Sequence, residues 1–365
     1  MRLKTNGKIL LLDLLKVLQK HSDEYHPIDQ KNIINILEKE YGYENLYPKR
    51  QTVKNNIEKL LKYSERTDID VNEIDYKTNV RKNIDKKTGK EKVAYEHTDF
   101  SYIHDFTYGE LRLIIDSILF SKQIPSHHKE GLIKKLEGLS SEYFNSRLNH
   151  IRTLSSDGPI NHDLFRNIED IDKAISQSRQ VTFKYNHYTV DKNNKLVLQS
   201  RTNEKGIERE YVINPYQMVA TNGRYYLICN NDSYDNLSHY RLDRMTNIEV
   251  LNKERKPLRK LKGVGDRLDL AQYMAEHIYM YQGESTSVKL RLKKDTISDF
   301  IDWFGTDHVD FSNQTADEVT ARVRVNRESM RKWALQYGLH VKVLSPSDLV
   351  EQIKEDIKKV MKNYE

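Results

Sequence analysis

The 365-residue chain is 37% hydrophobic and 31% charged, with 60 Lys+Arg against 54 Asp+Glu and a formal net charge of +6. That length holds two or three compact units and excludes a single small fold. One cysteine, Cys229, excludes an internal disulfide or a thiolate metal cluster and points to a cytoplasmic setting. The apolar run Ile9 to Leu12, broken by Asp13 and Lys16, is too short for a membrane span and lacks a signal-peptide cleavage site.

The first 66 residues read as three helices. Ile9, Leu12, Leu15 and Leu18 recur at helical spacing after Gly7, and Ile33, Ile34 and Leu37 follow Asp29, a fitting N-cap. The third helix runs from Pro48 to about Tyr63 and buries Val53, Ile57 and Leu60. Its other side presents Gln51, Asn55, Glu58 and Lys62, flanked by Thr52, Lys54 and Lys59. Over residues 48–62, Lys49, Arg50, Lys54, Lys59 and Lys62 oppose the single acid Glu58, an excess that equals that of residues 1–66 as a whole.

Residues 67–104 alternate (Ile69, Val71; Val93, Tyr95) around Lys87-Thr88-Gly89-Lys90, the pattern of a β-hairpin with a basic tip. Thr107 and Glu110 form a capping box for a helix carrying Leu111, Ile114, Ile115 and Ile118, which Pro125 ends. A further helix carries Leu132, Ile133, Leu136 and Leu139, and Asp157-Gly158-Pro159 marks a boundary. A helix with Leu164, Ile168, Ile171 and Ile175 then precedes short strands: Val181 to Tyr185, Tyr211 to Ile213 ending at Asn214-Pro215, Tyr216 to Ala220 turning at Asn222-Gly223 into Arg224 to Cys229, Tyr240 to Leu242, and Ile248 to Leu251. Such spacing suits a small β-barrel. The charged run Lys253 to Lys260 reads as a linker, followed by a helix around Leu270 to Ile278. The remainder runs in βαββαβα order, which suits a ferredoxin-like sandwich with an added helix.

A short helix can enter a DNA major groove and present its first residues to base edges. Gln51 and Asn55 match adenine, Arg50 matches guanine, Thr52 suits bases or phosphate, and Lys54, Lys59 and Lys62 suit phosphates. A three-helix bundle with a solvated lysine face has the same pattern. The helix–helix–basic helix–hairpin order favours a winged helix-turn-helix.

On a strand, Arg241 and Asp243 share one face, Tyr240 and Leu242 the other. Arginine forks and tyrosine rings together suit an anionic aromatic ligand. On residues alone, pairing of Arg241 and Arg244 with Asp243 and Glu249 is the simpler account, because tyrosine is a good strand former. His127-His128 cannot face each other on a helix as metal ligands, Asp68-Ile69-Asp70 lacks the rest of an EF-hand loop, Gly263-x-Gly265 is no phosphate loop, and no serine elbow joins His239 and Asp243. Neither a catalytic nor a metal site is expected, and no cofactor.

The stretch Asn214-Pro215-Tyr216, Asn222-Gly223-Arg224-Tyr225-Tyr226-Leu227, and Tyr240-Arg241-Leu242-Asp243-Arg244-Met245 followed by Ile248 resembles the WYL domain of bacterial transcriptional regulators, with Tyr225 where tryptophan is usual. The resemblance extends over nearly the whole chain. It implies an α+β multidomain protein: a winged helix-turn-helix at 1–104, a helical connector at 105–158, an Sm-like WYL barrel at 159–252, a linker and helix at 253–284 and a WCX domain at 285–365. It further implies a non-enzymatic regulator, read here as a repressor, that forms a homodimer on an inverted-repeat duplex operator and senses an anionic nucleotide or oligonucleotide. Tyr226, Arg241 and Arg244, with His239 and Tyr216 beside them, are the implied pocket; Arg50, Gln51, Thr52 and Asn55 are the implied DNA readers. An RNA- or single-strand-binding accessory protein is the alternative.

Overall fold

A computed structural model describes residues 7–46, 49–68, 72–84, 91–121, 124–144, 163–261 and 264–365. Pro48, Ile69 to Val71, the Lys87 to Lys90 tip, the Asp157-Gly158-Pro159 break and Gly263 lie outside the described residues. The chain divides into two compact units, residues 1–157 and 158–365.

In the first unit, α1 (Gly7–His21), α2 (Gln30–Glu40) and α3 (Arg50–Ser64) pack around Leu10, Leu14, Leu18, Ile33, Ile34, Leu37, Val53, Ile57 and Leu60. Burying each such side chain contributes about 1.5–3 kcal/mol. Asp29 caps α2 by accepting from the Asn32 N–H at 2.7 Å, as its sequence position predicts. The antiparallel hairpin β1 (Ile74–Ile84) and β2 (Glu91–Tyr102) sets Ile74, Phe100 and Tyr102 into the same core. The capping box of Thr107 and Glu110 opens α4 (Tyr108–Phe120). Pro125 does not end α4. That helix stops at Phe120, and Pro125 instead stands at the N-cap of α5 (Ser126–Glu137), where its missing N–H costs nothing. Leu139 lies beyond α5 and is exposed, because the helix closes at Gly138.

The second unit opens with α6 (Leu164–Ser176), which packs on a curled sheet of β3 (Arg179–Val190), β4 (Leu196–Ser200), β5 (Glu210–Thr221), β6 (Arg224–Asn230), β7 (Ser238–Arg241) and β8 (Met245–Glu254). The order is β4-β3-β5-β6-β7, with β8 returning to pair β3. Phe183, Ile213, Leu227, Cys229, Leu242 and Met245 fill its interior. Asn222 and Gly223, both at positive φ, make the β5–β6 turn. Three expectations change here. Strand β4 escaped the sequence reading. Asn214-Pro215 does not end a strand: β5 runs through it, with a register shift at Pro215/Gln217 absorbing the missing donor. The charged run at 253–260 is not a free linker, since Lys253 and Glu254 belong to β8 and Leu258 packs with buried Leu261 in a second apolar cluster.

After α7 (Leu270–Glu276) come β9 (Ser285–Lys293), α8 (Ile297–Phe304), β10 (Val309–Ser312), β11 (Glu318–Asn326), α9 (Arg327–Gln336), β12 (Val341–Ser345) and α10 (Ser347–Lys362). The βαββαβα order is as expected. The antiparallel order β10-β11-β9-β12 is that of a ferredoxin-like sandwich, with Trp333 against Phe300 and Phe304 in its core. No helix among the described residues is long and apolar enough to cross a membrane.

Candidate nucleic-acid and ligand sites

The periodicity of α3 sets one face into the core and leaves the other outward. Lys49, Arg50, Gln51, Thr52, Asn55, Lys59 and Lys62 are exposed and Lys54 is half-buried, while Val53, Asn56, Ile57, Leu60 and Leu61 are buried. Among the described residues no side chain caps the N-terminus of α3, and a helix N-terminus with basic residues in its first turn favours phosphate. Gln51 Nε2 donates to Asn55 Oδ1 at 2.8 Å. The two amides thus hold each other in place, and a base edge would have to exchange into that bond.

The second site is built on β6 and β7 of the curled sheet. Tyr226 stands opposite Arg241 and Ile228 opposite His239, which places these four on one face, while Leu227 and Tyr240 are opposed on the other. Asp243 is not on a strand with Arg241: it sits in the 3-10 turn Leu242–Arg244 that follows β7. The turn folds its carboxylate back onto Arg241, whose Nε and Nη2 reach it at 3.0 and 2.6 Å. Arg224 Nη1 stands 3.6 Å from the same carboxylate. Burial opposes the charge on Arg241, but the hydrogen bonds and charge of Asp243 outweigh it and raise its pKa.

Arg244 forms no pair with Glu249 among the described residues. Its guanidinium lies over the Tyr188 ring, 5.4 Å from the centroid, and its Nε has no hydrogen-bond partner. Tyr185 joins this group: its hydroxyl accepts from the Arg241 N–H at 3.2 Å, and Arg201 lies over its ring. Arg241 and Arg224 thus share the one buried carboxylate of Asp243, and Arg244 stands beside the tyrosine rings without a carboxylate among the described residues, a local positive excess suited to a phosphate or carboxylate ligand.

Tyr216 and His239 are drawn elsewhere. Tyr216 is buried, donates its hydroxyl to the Lys256 carbonyl at 2.7 Å and lies under the Arg255 guanidinium. His239 Nε2 bonds the Tyr273 hydroxyl at 2.7 Å beneath α7, near His277. Both therefore line a packed seam and not the arginine group. Burial, with His277 nearby, lowers the His239 pKa to about 3. Its folded value lies below the ordinary 6.5, so the stability it contributes is full above pH 6.5 and is lost as pH falls from there toward 3. Thermal melts across that range should show this loss in the wild type and a flatter profile in His239→Gln.

Sequence reasoning missed Tyr185, Tyr188 and Arg201, which reach the site only through strand pairing, and named Arg224 in its motif without assigning it to the pocket. Among the described residues no group of three His, Cys, Asp or Glu converges as a metal site.

Comparison with known proteins matches residues 166–250 to the WYL domain and residues 284–361 to the WCX domain. Among solved structures, proteasome accessory factor B/C (PafBC) of Arthrobacter aurescens is similar at 13% identity and a TM-score of 0.26, over 100% of this chain and 50% of that one. The chain thus spans about half the length of PafBC. A structure titled as a CRISPR Cas-related protein is similar at 14% identity and a TM-score of 0.34, over 98% of this chain and 83% of that one. No curated protein sequence matches the chain.

Proposed function

Because the chain belongs to the WYL-domain proteins, with a WYL domain followed by a WCX domain, we propose that it is a non-enzymatic, DNA-binding transcriptional regulator, a repressor, governed by an anionic nucleotide or oligonucleotide. The first 104 residues act as a winged helix-turn-helix, with α3 in the major groove and the β1–β2 hairpin as wing. The curled sheet, with β8 returning to β3 after a leading helix, serves as an Sm-like sensor. A homodimer places two copies of α3 about one helical turn apart, on an inverted repeat.

The observation that carries this reading is the α3 surface: the residues expected to read or hold DNA are exposed, apart from half-buried Lys54, over a face packed by Val53, Ile57 and Leu60. Arg244 supports the sensor, since it is the arginine of the group without a carboxylate partner among the described residues and can take a phosphate without displacing Asp243. Ligand shifts DNA binding only by its differential affinity for the two forms of the dimer, and a tenfold shift needs about 1.4 kcal/mol.

Gel-shift measurements test the DNA reading. Gln51→Ala with Asn55→Ala should abolish preference for the selected operator over unrelated duplex. Lys59→Ala should weaken both equally and make the salt dependence shallower by about one phosphate contact. Unchanged preference in the double variant would make α3 a structural helix only.

A further inference from the structure

The ferredoxin-like sandwich packs α8, α9 and α10 on one face of the β10-β11-β9-β12 sheet; on the other, α7 covers the Arg324 end and the strands beyond it carry exposed cations. Alternation along each strand decides which side chains stand there. On β9 the buried Val288, Leu290 and Leu292 point to the helices, so Lys289, Arg291 and Lys293 point away. On β11, Val319, Ala321, Val323 and Val325 are buried, and Arg322 and Arg324 take the open side. On β12, Lys342 stands between buried Val341 and Val343.

Register brings these cations together. Arg322 is opposite Lys289, and Lys342 is opposite Arg291 on the other side of β9. Against the six, the same face carries Glu318, opposite Lys293, and Asp310, opposite Arg322. Glu318 approaches Arg291 only to 3.7 Å, and Arg324 is held at its end of the sheet by Glu276 of α7 at 3.1 Å. Among the described residues, Lys289, Lys293, Arg322 and Lys342 have no ion-pair partner. Like charges crowded on adjacent strands cost stability unless an anion offsets them.

We infer that this open sheet face is a second, sequence-neutral nucleic-acid contact, which binds the phosphate backbone of double-stranded DNA. The make-up of the face selects duplex over single strand. Between its charges the face exposes Ser287 and Ser312 and no aromatic ring of these strands, whereas single-strand binding draws on aromatic platforms that stack unpaired bases. A duplex keeps its bases stacked inside and offers phosphates, which is the chemistry this face can meet. Cations spaced along strands by about 6.6 Å, and across them by about 4.8 Å, can neutralise several phosphates at once without reading sequence.

The test uses the full chain with Lys289→Glu, Arg322→Glu and Lys342→Glu combined, and a charge-preserving control with Lys289→Arg, Arg322→Lys and Lys342→Arg. Fluorescence anisotropy on a labelled duplex of arbitrary sequence should show binding at least about tenfold weaker for the reversed variant. Its plot of log affinity against log salt should be shallower by about 2–3, from roughly 0.9 per lost phosphate contact. The control should match the wild type, and circular dichroism should show all three proteins folded at the assay temperature. The same loss should appear in the Gln51→Ala/Asn55→Ala background, so a failure of helix α3 to read DNA leaves this result standing. Unchanged duplex affinity and slope in the reversed variant would overturn the inference. A single strand of the same length that binds more tightly than the duplex, with an equal loss on reversal, would overturn the choice of duplex.

Discussion

Replacing Asp23 by alanine is expected to destabilise the first unit by about 3–5 kcal/mol, lowering its melting temperature by roughly 10–15 °C. Asp23 is 3% exposed, and five donors converge on its carboxylate. The Tyr108 hydroxyl donates at 2.6 Å, His26 Nδ1 at 2.8 Å, the N–H groups of Tyr25 and His26 at 2.9 Å, and the Ser141 hydroxyl completes the set. These donors come from the turn after α1, the start of α4 and the segment after α5, so one carboxylate ties the three-helix bundle to the helices that follow. Alanine leaves all five without an acceptor, and asparagine, which keeps one acceptor oxygen, should cost less. Burial alone would raise the Asp23 pKa, but the hydrogen bonds of Ser141, Tyr108 and His26 outweigh it and bring it down to about 2. Its folded value lies below the ordinary 3.8, so its contribution is full above about pH 4 and disappears as pH falls toward 2. Melts followed by circular dichroism from pH 6 downward should show that loss in the wild type and not in Asp23→Asn. Equal acid profiles would refute the role given to this carboxylate.

In the curled sheet, Arg241→Ala should cost about 3 kcal/mol and lower the melting temperature of the second unit by roughly 6–12 °C. Asp243 is 7% exposed, and its bidentate partner would be gone, with Arg224 at 3.6 Å as a weaker substitute. Arg244→Ala should behave differently. It removes a cation–π contact to the partly exposed Tyr188 ring, a loss of about 0.5–1 kcal/mol, and leaves the Arg241–Asp243 pair whole. Calorimetry on the two variants separates an arginine that holds the turn from one placed to bind. Equal melting temperatures for Arg241→Ala and wild type would show that the pair contributes nothing net.

Much of this architecture was readable in the sequence, because its local signals agree with its long-range packing. The 3.6-residue period of Val53, Ile57 and Leu60, the caps at Asp29 and Thr107, and the Asn222-Gly223 turn each correspond to an observed element. What escaped depends on pairing across distance or on a broken local rule. Pro215 reads as a strand end, yet a register shift carries β5 past it. Strand β4 buries too little on either side to show a period. Arg241 and Asp243 do meet, through a 3-10 turn and not through strand alternation. Tyr185 and Tyr188 join the arginines because β3 pairs with β5, β8 and β4 along its length, which no spacing reveals. The cations of β9 and β11 alternate visibly, but only the register gathers them onto one face.

The central proposal is that a ligand on Arg241 and Arg244 controls how tightly α3 holds its operator. Its most direct test is the affinity of the full chain for a duplex selected from randomised DNA, measured with and without a mixture of nucleoside monophosphates and short oligonucleotides. The account predicts that the wild type shifts its affinity at least about tenfold, equivalent to about 1.4 kcal/mol, while Arg244→Ala starts from the same affinity and does not shift. A wild type that ignores the mixture, or an Arg244→Ala protein that responds as fully as the wild type, would contradict it.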